Sequence, residues 1–537
     1  LAERRVYGWR ALRIIVVSPA PALQETGPAL TDEHLDVLIV GAGLSGIGAA
    51  CRLRTRSPGA SFAILEARDD LGGTWDLFRY PGVRSDSEMF TLSYAFRPWT
   101  HAAAIAGGRT ILTYIRDAAR EFEVDRRIRY GCRVRSAAWS SEAALWTLEV
   151  ERGPDKGPAR LTCSFLILCA GYYSYEGGYR PDFPGLDRFG GRVVDPQRWS
   201  DDIDYVGKRV LVIGSGATAV TLVPALARRA AHVVMLQRSP TYVIERASRD
   251  GFADALRAAL PERLAYRLAR WGNILVGSAF FRFCRRFPRA ARWLLLARAR
   301  DALGPSVDAA KHFTPRYQPW DQRLCLAPDG DLFRVLRSGR ASIVTDAISR
   351  FTEAGVELAS GETIEADLAV VATGLELRPL GGVRLSVDGV AVEPGETTVY
   401  RGAMLSGVPN LVFVFGYANA AWTLKADLVS LFACRLVNRL KRRGFRKCAP
   451  AQVDPAMKRG PLVVFSSGAY RRAADRLPKQ GTEGPWALRR SYWRDVVALR
   501  FAPLDDGVLR FSDPTPAAQA RRADGASNAP QRPSAAR

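Results

Sequence analysis

An α/β fold with two doubly wound parallel-sheet units and a helical insertion is the architecture that this 537-residue sequence predicts. Three observations carry it. Short Val/Ile/Leu runs alternate with helical stretches along most of the chain, the pattern of parallel sheets covered by helices. Two of these runs, 36–40 and 209–213, lead directly into glycine turns that are followed by helical patterns. The segment 245–310 reads as Arg-rich helix and interrupts the second unit.

Taken in order, residues 1–30 hold little periodicity and a Pro/Ala stretch, and their apolar centre, Ile14 to Val17, is short for a signal peptide. They read as a disordered extension. Residues 31–190 then form the first part of one unit, 191–365 a second unit carrying the 245–310 insertion, and 366–512 the return to the first. The tail 513–537 has the composition of disorder.

Composition narrows the class further. Hydrophobic residues make up 47% and charged residues 24%, the balance of a globular protein with a large core. No apolar run approaches the ~18 residues of a membrane-spanning helix. The longest candidate, 271–281, is short and flanked by Arg. Eight cysteines, at 51, 132, 163, 169, 284, 325, 434 and 448, form no CxxC pair. They read as buried free thiols in a reducing cytoplasm rather than as zinc ligands or a redox pair. His34, His101, His232 and His312 lie far apart, so no metal site is expected. The net charge is 77 − 54 = +23, spread through an Arg-, Ala- and Gly-rich composition, and reads as codon bias. No helix-turn-helix, zinc knuckle or aromatic RNA platform accompanies it, so no nucleic-acid partner is expected. The mixed apolar and Arg face of 245–310 suits packing on a neighbouring domain, and allows a loose peripheral contact with a membrane.

The chemistry lies in the glycine turns. In Gly41-Ala42-Gly43-Leu44-Ser45-Gly46 the first glycine permits a tight turn, the second lets a pyrophosphate approach the backbone, and the third lets helix and strand pack closely. The helix N-terminus beyond it offers free N–H groups and a positive dipole to the diphosphate. The next strand, 62–65, ends in Glu66, twenty positions after Gly46, where a carboxylate accepts from a ribose hydroxyl. The second turn, Gly214-Ser215-Gly216-Ala217-Thr218-Ala219, follows the same plan, but its second strand ends in Gln237-Arg238-Ser239. With no carboxylate for a 2′-hydroxyl, Arg238 suits the 2′-phosphate of NADPH, unless it is simply a solvated strand-end charge. Two such fingerprints predict two Rossmann-like dinucleotide-binding domains, one for FAD and one for NADPH, and therefore hydride transfer to a flavin. The absence of a cysteine pair argues against a disulfide reductase and leaves dioxygen as the acceptor.

The segment from Gly72 through Gly73, Thr74, Trp75, Tyr80, Pro81 and Gly82 to Asp86 resembles the GGTWxxxxYPGxxxD signature of the flavin-dependent Baeyer–Villiger monooxygenases. The stretches VIGSGATAVTLVPALA, MLQRSPTYV, PWDQRLCLAPDGDLF and NAAWTLKADLVS extend the resemblance from about Leu35 to Phe511. It implies an FAD- and NADPH-dependent enzyme that uses a C4a-peroxyflavin and O₂ to turn a ketone into an ester or lactone, and that can oxygenate sulfides or thioamides as well. It assigns Arg323 the role of stabilising negative charge beside the flavin and Asp86 that of positioning Arg323. From spacing alone Asp86 serves equally well as a helix cap, and Arg323 is one Arg among many. The resemblance also places Thr373 and Gly374, in the ATG turn after 367–371, and Asn419, before a helix start, near the flavin.

One departure stands out. The family fingerprint FxGxxxHxxxW is matched by Phe189, Gly191 and Trp199, but Asp195 replaces the His. An ionised Asp accepts hydrogen bonds and donates none, which bears on how tightly NADPH oxidation is coupled to oxygenation. The competing readings are therefore a monooxygenase restricted to N- or S-oxidation, an uncoupled NADPH oxidase, and a non-catalytic flavoprotein.

Overall fold

The computed structural model describes residues 33–153, 157–488 and 491–513. The expected disorder of 1–30 and of the tail beyond Asp513 lies outside them. The first sheet has nine strands. Its parallel part runs Leu411–Phe413, Ala159–Leu168, His34–Val40, Phe62–Leu65 and Ile128–Arg129. An antiparallel meander, Cys132–Ser140 with Leu145–Arg152, extends it from Ala159–Leu168, and Arg384–Val387 and Val390–Val392 finish the edge.

Period-two alternation decides what each face packs against. Val37 and Ile39 point toward the helices Leu44–Arg56 and Trp422–Arg443, in one core with Ile47, Phe165, Val429 and Phe432. Leu38 and Val40 point the other way, onto Trp139, Trp146 and Leu148 of the meander. The two helices are clamped by a bidentate, nearly buried pair in which Arg52 Nε and Nη2 donate to Asp427 at 2.6 and 2.9 Å.

The second sheet is wholly parallel, in the order Ala341–Thr345, His232–Gln237, Arg209–Ile213, Leu368–Val371 and Arg192–Val194. This corrects the expected boundary at 365/366. Leu368 pairs in register with Val210, and Val371 with Ile213, so the strand that opens the expected return segment belongs to this sheet instead. The chain passes between the sheets through a two-stranded link, Tyr173–Gly178 with Leu375–Leu377.

The insertion consists of the helices Gly251–Ala259, Glu262–Arg286 and Pro288–Leu303. Its packing differs from the expectation. The long helix buries small and polar residues, Ala265, Ala269, Arg270 and Asn273, with Tyr266 and Ile274, while Leu264, Leu268, Trp271 and Leu275 stay exposed. The physical reason is Arg270. Its guanidinium turns inward and donates from Nη1 to the carbonyls of Phe90 at 2.8 Å and Ser93 at 2.9 Å, which aims the apolar stripe outward. All eight cysteines are buried and free, and burial pushes the Cys163 thiol up to about 12 against two opposing backbone hydrogen bonds. Among the described residues no helix is long and apolar enough to cross a membrane, and no cluster of His, Cys, Asp and Glu could hold a metal.

Candidate functional site

Both glycine turns sit where a parallel strand hands over to a helix, and they share one geometry. The first glycine of each is dictated by the chain. Gly41 has φ +99°, and a Cβ there would lie 2.7 Å from Cys169 O. Gly214 has φ +142°, and a Cβ would meet Ala372 O at 2.2 Å. The second glycine is not dictated in this way. A Cβ on Gly43 would make only ordinary contact, 3.5 Å from Gly73 Cα, and one on Gly216 would meet nothing within 4 Å. Gly46 is again required by packing, with a Cβ 1.8 Å from Gly41 O. The helices that follow, Leu44–Arg56 and Ala217–Leu226, have no side-chain cap and no acidic residue in their first turns. Their free N–H groups and positive ends therefore face an open groove, which fits a dinucleotide pyrophosphate at each turn.

The first turn lines a cavity of about 400 Å³. Gly41, Gly43, Ser45, Glu66, Gly73, Thr74, Trp75, Asp86, Ala217, Thr218 and Arg323 all lie on its wall. Glu66 is buried and held by its own fold. Its Oε2 accepts from the Ala42 amide at 2.7 Å and its Oε1 from the Arg68 amide at 3.0 Å. Burial raises its pKa, and these two amides oppose the shift. Ser45 Oγ accepts from the indole of Trp422 at 2.9 Å, tying the start of the Trp422–Arg443 helix to the first turn.

Asp86 and Arg323 are 237 positions apart and form an ion pair on the wall. Arg323 Nε lies 3.2 Å from Asp86 Oδ2, and Nη2 donates to Asp86 Oδ1 and to Ser87 Oγ, each at 3.3 Å. The capping alternative for Asp86 is not realised, because the helix Met89–Leu92 begins at Glu88 without a side-chain cap. The charge of Asp86 raises the Arg323 pKa and outweighs the opposing effect of burial. With Ser87 and Leu326, this pair also lines a second cavity of about 690 Å³, bounded by the insertion helices and by Tyr417, Asn419 and Tyr492. The ion pair thus stands where the two cavities meet.

Other expected residues fall elsewhere. Gly46 packs behind the turn. Gly214 and Gly216 lie in the turn between Arg209–Ile213 and the Ala217–Leu226 helix, and Arg238 and Ser239 are exposed at the end of His232–Gln237. Arg238 makes no ion pair among the described residues, which leaves its guanidinium available to a phosphate. Thr373 donates its hydroxyl to Tyr179 O, and Gly374 O accepts from the Tyr179 amide at 2.9 Å, so the ATG turn is bound to the inter-sheet link rather than to either cavity. Asn419 lines the second cavity, not the first.

The fingerprint residues pack rather than line a cavity. Phe189 stacks edge-on against Phe351, a Cβ on Gly191 would lie 2.6 Å from Asp367 O, and Trp199 meets Tyr205 edge-on. Asp195 accepts from the Gly178 amide through Oδ2 and from the Gln197 amide through Oδ1, both at 2.9 Å. Its carboxylate ties the inter-sheet link to the turn that follows the edge strand, a task for two acceptors that a single imidazole cannot perform.

Sequence reading missed the aromatic wall. Tyr80, Tyr172, Tyr173, Tyr175 and Trp422 surround the first cavity, and Tyr172 stacks on Trp422 with centroids 4.8 Å apart. Thr74 and Tyr173 share a hydrogen bond through their hydroxyls. Burial pushes Tyr80 and Tyr175 up to about 12, so both stay protonated near neutrality. The run Tyr172-Tyr173-Ser174-Tyr175 was the available signal.

Two uncapped helix N-termini, one from each of the two sheets, share a single cavity wall with the Arg323–Asp86 pair. Residues 35–271 match the family model described as flavin-binding monooxygenase-like. The chain is 49% identical over 481 residues to the FAD-containing monooxygenase EthA of Mycobacterium tuberculosis, covering 89% of this chain and 98% of that protein. This chain belongs to the flavin-binding monooxygenases. Within the family it is also 44% identical over 486 residues to the probable FAD-binding monooxygenase AlmA of Acinetobacter baylyi, covering 90% of this chain and 97% of AlmA. The same fold occurs in oxidised steroid monooxygenase bound to NADP, with TM-score 0.69 at 24% identity over 89% of this chain and all of that one. It occurs again in a closed form of cyclohexanone monooxygenase, with TM-score 0.64 at 21% identity over 78% and 87% of the two chains.

Proposed function

We propose that this flavin-binding monooxygenase uses NADPH and O₂ to place one oxygen atom on a soft sulfur or nitrogen of a small organic substrate held in the second cavity. FAD and NADP(H) are its cofactors. The turn Gly41–Gly46, Glu66 and the cavity-wall residues Gly73, Thr74 and Trp75 would hold FAD. Gly214, Gly216, Ala217 and Thr218 would hold NADPH, and Arg238 and Ser239 would take its 2′-phosphate. The two sheets then act as two Rossmann-like domains, 33–190 with the segment after 374, and 191–373. A flavin held there would supply hydride acceptance from the nicotinamide and activation of dioxygen.

The observation that carries the reading is the Arg323–Asp86 pair at the junction of the two cavities. Its residues supply position and charge. Asp86 and Ser87 hold the guanidinium in one orientation, and the aromatic residues give the adjoining cavity an apolar wall. The Asp86 carboxylate pairs with the Arg323 guanidinium and offsets part of its charge, which suits transfer from a neutral oxygen donor to a lone pair. Relatives at 44–49% identity bear the broad name of FAD monooxygenases, whereas the neighbour named for a ketone shares only the fold, at 21% identity.

Insertion into a ketone, the outcome expected from the resemblance, is the second reading. One observation favours it. Arg323 Nη1 has no hydrogen-bond partner among the described residues and is free to steady a developing anion. The test is turnover of methyl phenyl sulfide and of linear and cyclic ketones by the FAD-loaded protein, with NADPH consumption and peroxide release followed together. Sulfoxide without ester supports the first reading, and ester or lactone the second. Stoichiometric peroxide with neither product rejects both in favour of an uncoupled oxidase.

A further inference from the structure

The long insertion helix turns an apolar stripe to the outside. Leu264, Leu268, Trp271 and Leu275 recur at helical spacing and are 45%, 41%, 37% and 53% exposed. The stripe is not a frayed element, since the opposite face of the same helix is anchored by buried Arg270 and by Asn273, whose amide donates to Asp250 at 2.8 Å. A second element continues it. Trp493, Val497 and Phe501 are 39%, 59% and 64% exposed, and Trp493 stacks on Trp271 with centroids 4.7 Å apart and planes 12° apart. Seven large exposed apolar side chains therefore lie on two elements joined by the Trp271–Trp493 stack.

The charge beside this patch is mainly positive. Between positions 262 and 303 the chain carries ten Arg and no Lys, against Glu262 and Asp301 alone. Arg263, Arg267, Arg494 and Arg500 are exposed beside the apolar residues. The second cavity opens here as well. Its lining includes Val276, 66% exposed and next to Leu275, and Arg494, next to Trp493, while its inner end is the Arg323–Asp86 pair.

We propose that this face docks on an anionic lipid bilayer, and that the second cavity draws lipophilic substrates from the bilayer through its mouth. Leu and Trp enter the boundary between headgroups and acyl chains, and the Arg rim pairs with lipid phosphate, the division of labour of an interfacial helix. A protein partner or a second copy seated on the patch would close the mouth of the cavity, whereas a bilayer both covers the patch and supplies what enters. The docking stands apart from the reaction. The entry path rests on the oxygenase reading above.

The test uses the full FAD-loaded chain in vesicle flotation, with phosphatidylcholine alone and with roughly 30% phosphatidylglycerol added. Flotation with the anionic vesicles at least about tenfold above the neutral ones is expected, falling as salt is raised. The double substitution Leu268→Asp with Leu275→Asp, at two exposed positions outside both cavities, is expected to lower it at least about tenfold. The same variant should turn over soluble methyl phenyl sulfide normally, but lose the vesicle-stimulated turnover of a long-chain alkyl methyl sulfide. Absent flotation, or flotation unchanged in the variant, overturns the docking. Light scattering that shows a dimer dissolved by the same variant also overturns it and assigns the face to a second copy. Soluble sulfide left untouched by the parent protein refutes the oxygenase reading, and flotation then still judges the docking by itself. Equal stimulation of parent and variant on the long-chain sulfide overturns the entry path.

Discussion

Arg323 and Asp86 meet at 3.2 Å between a cavity of about 400 Å³ and one of about 690 Å³ that opens on the helical insertion. Asp86 lies in the loop before the Met89–Leu92 helix, and Arg323 in the loop before the Cys325–Pro328 strand. Each is held by the other, and Ser87 adds a third point of attachment.

Removing this cation should separate oxygenation from NADPH oxidation. Arg323→Ala is expected to lower product formation by about 10²–10³-fold, the usual loss when one preorganised electrostatic group is deleted. NADPH should still be consumed, with peroxide as the product. Asp86→Asn is expected to cost less, because the guanidinium stays charged and loses only its anchor. Product and peroxide measured in one assay distinguish the two effects.

The two glycines of the second turn should respond differently. Gly214→Ala puts a methyl group at φ +142° against Ala372 O, and is expected to lower stability by about 2–4 kcal/mol. Gly216→Ala meets no protein atom and should leave Tm almost unchanged while raising the KM for NADPH. Thermal melts of the cofactor-free protein beside NADPH titrations test the pair. Equal KM in Gly216→Ala and its parent would remove the nucleotide from this groove.

Asp195 is expected to carry two separable burdens. Asp195→Ala should cost about 1 kcal/mol, as the loss of a backbone-capping carboxylate usually does. Asp195→His keeps at most one of the two acceptor contacts, so it should melt earlier than the parent. It also restores the family residue, and is expected to raise product formed per NADPH consumed. A lower Tm with unchanged coupling would limit the position to a structural role.

His312 gives the acid side of the stability profile a defined sign. Burial and neighbouring Lys311 hold its pKa below the usual imidazole value, and Nδ1 shares a hydrogen bond with Thr345 Oγ1 at 2.8 Å. Just below pH ~6.5 the unfolded chain binds more protons at this site than the folded one, so the contribution is present above that value and is lost as pH falls through the depressed pKa. His312→Gln is expected to shrink the difference in Tm between pH 7.5 and pH 5.5. An unchanged difference would place the acid sensitivity elsewhere.

Much of the scaffold was legible from local chemistry. The apolar runs at 36–40 and 209–213 form parallel strands, the glycine turns follow them, and Glu66 stands at the end of the next strand, because strand, turn and helix start are each set by neighbours a few residues away. The membership of Leu368–Val371 in the second sheet was not legible, since a buried apolar strand fits either sheet and only its pairing with Arg209–Ile213 decides. The outward aim of Leu268 and Leu275 was hidden for a related reason. Periodicity shows that a helix has two faces, but the inward turn of Arg270 onto the Phe90 and Ser93 carbonyls determines which is buried. The sequence by itself determined two nucleotide turns, their order and their likeness to one family. Only the tertiary structure decided that Asp86 meets Arg323, that Asp195 serves two backbone amides, and that the larger cavity opens on an apolar, Arg-rimmed face, because each depends on contacts between segments far apart in the chain.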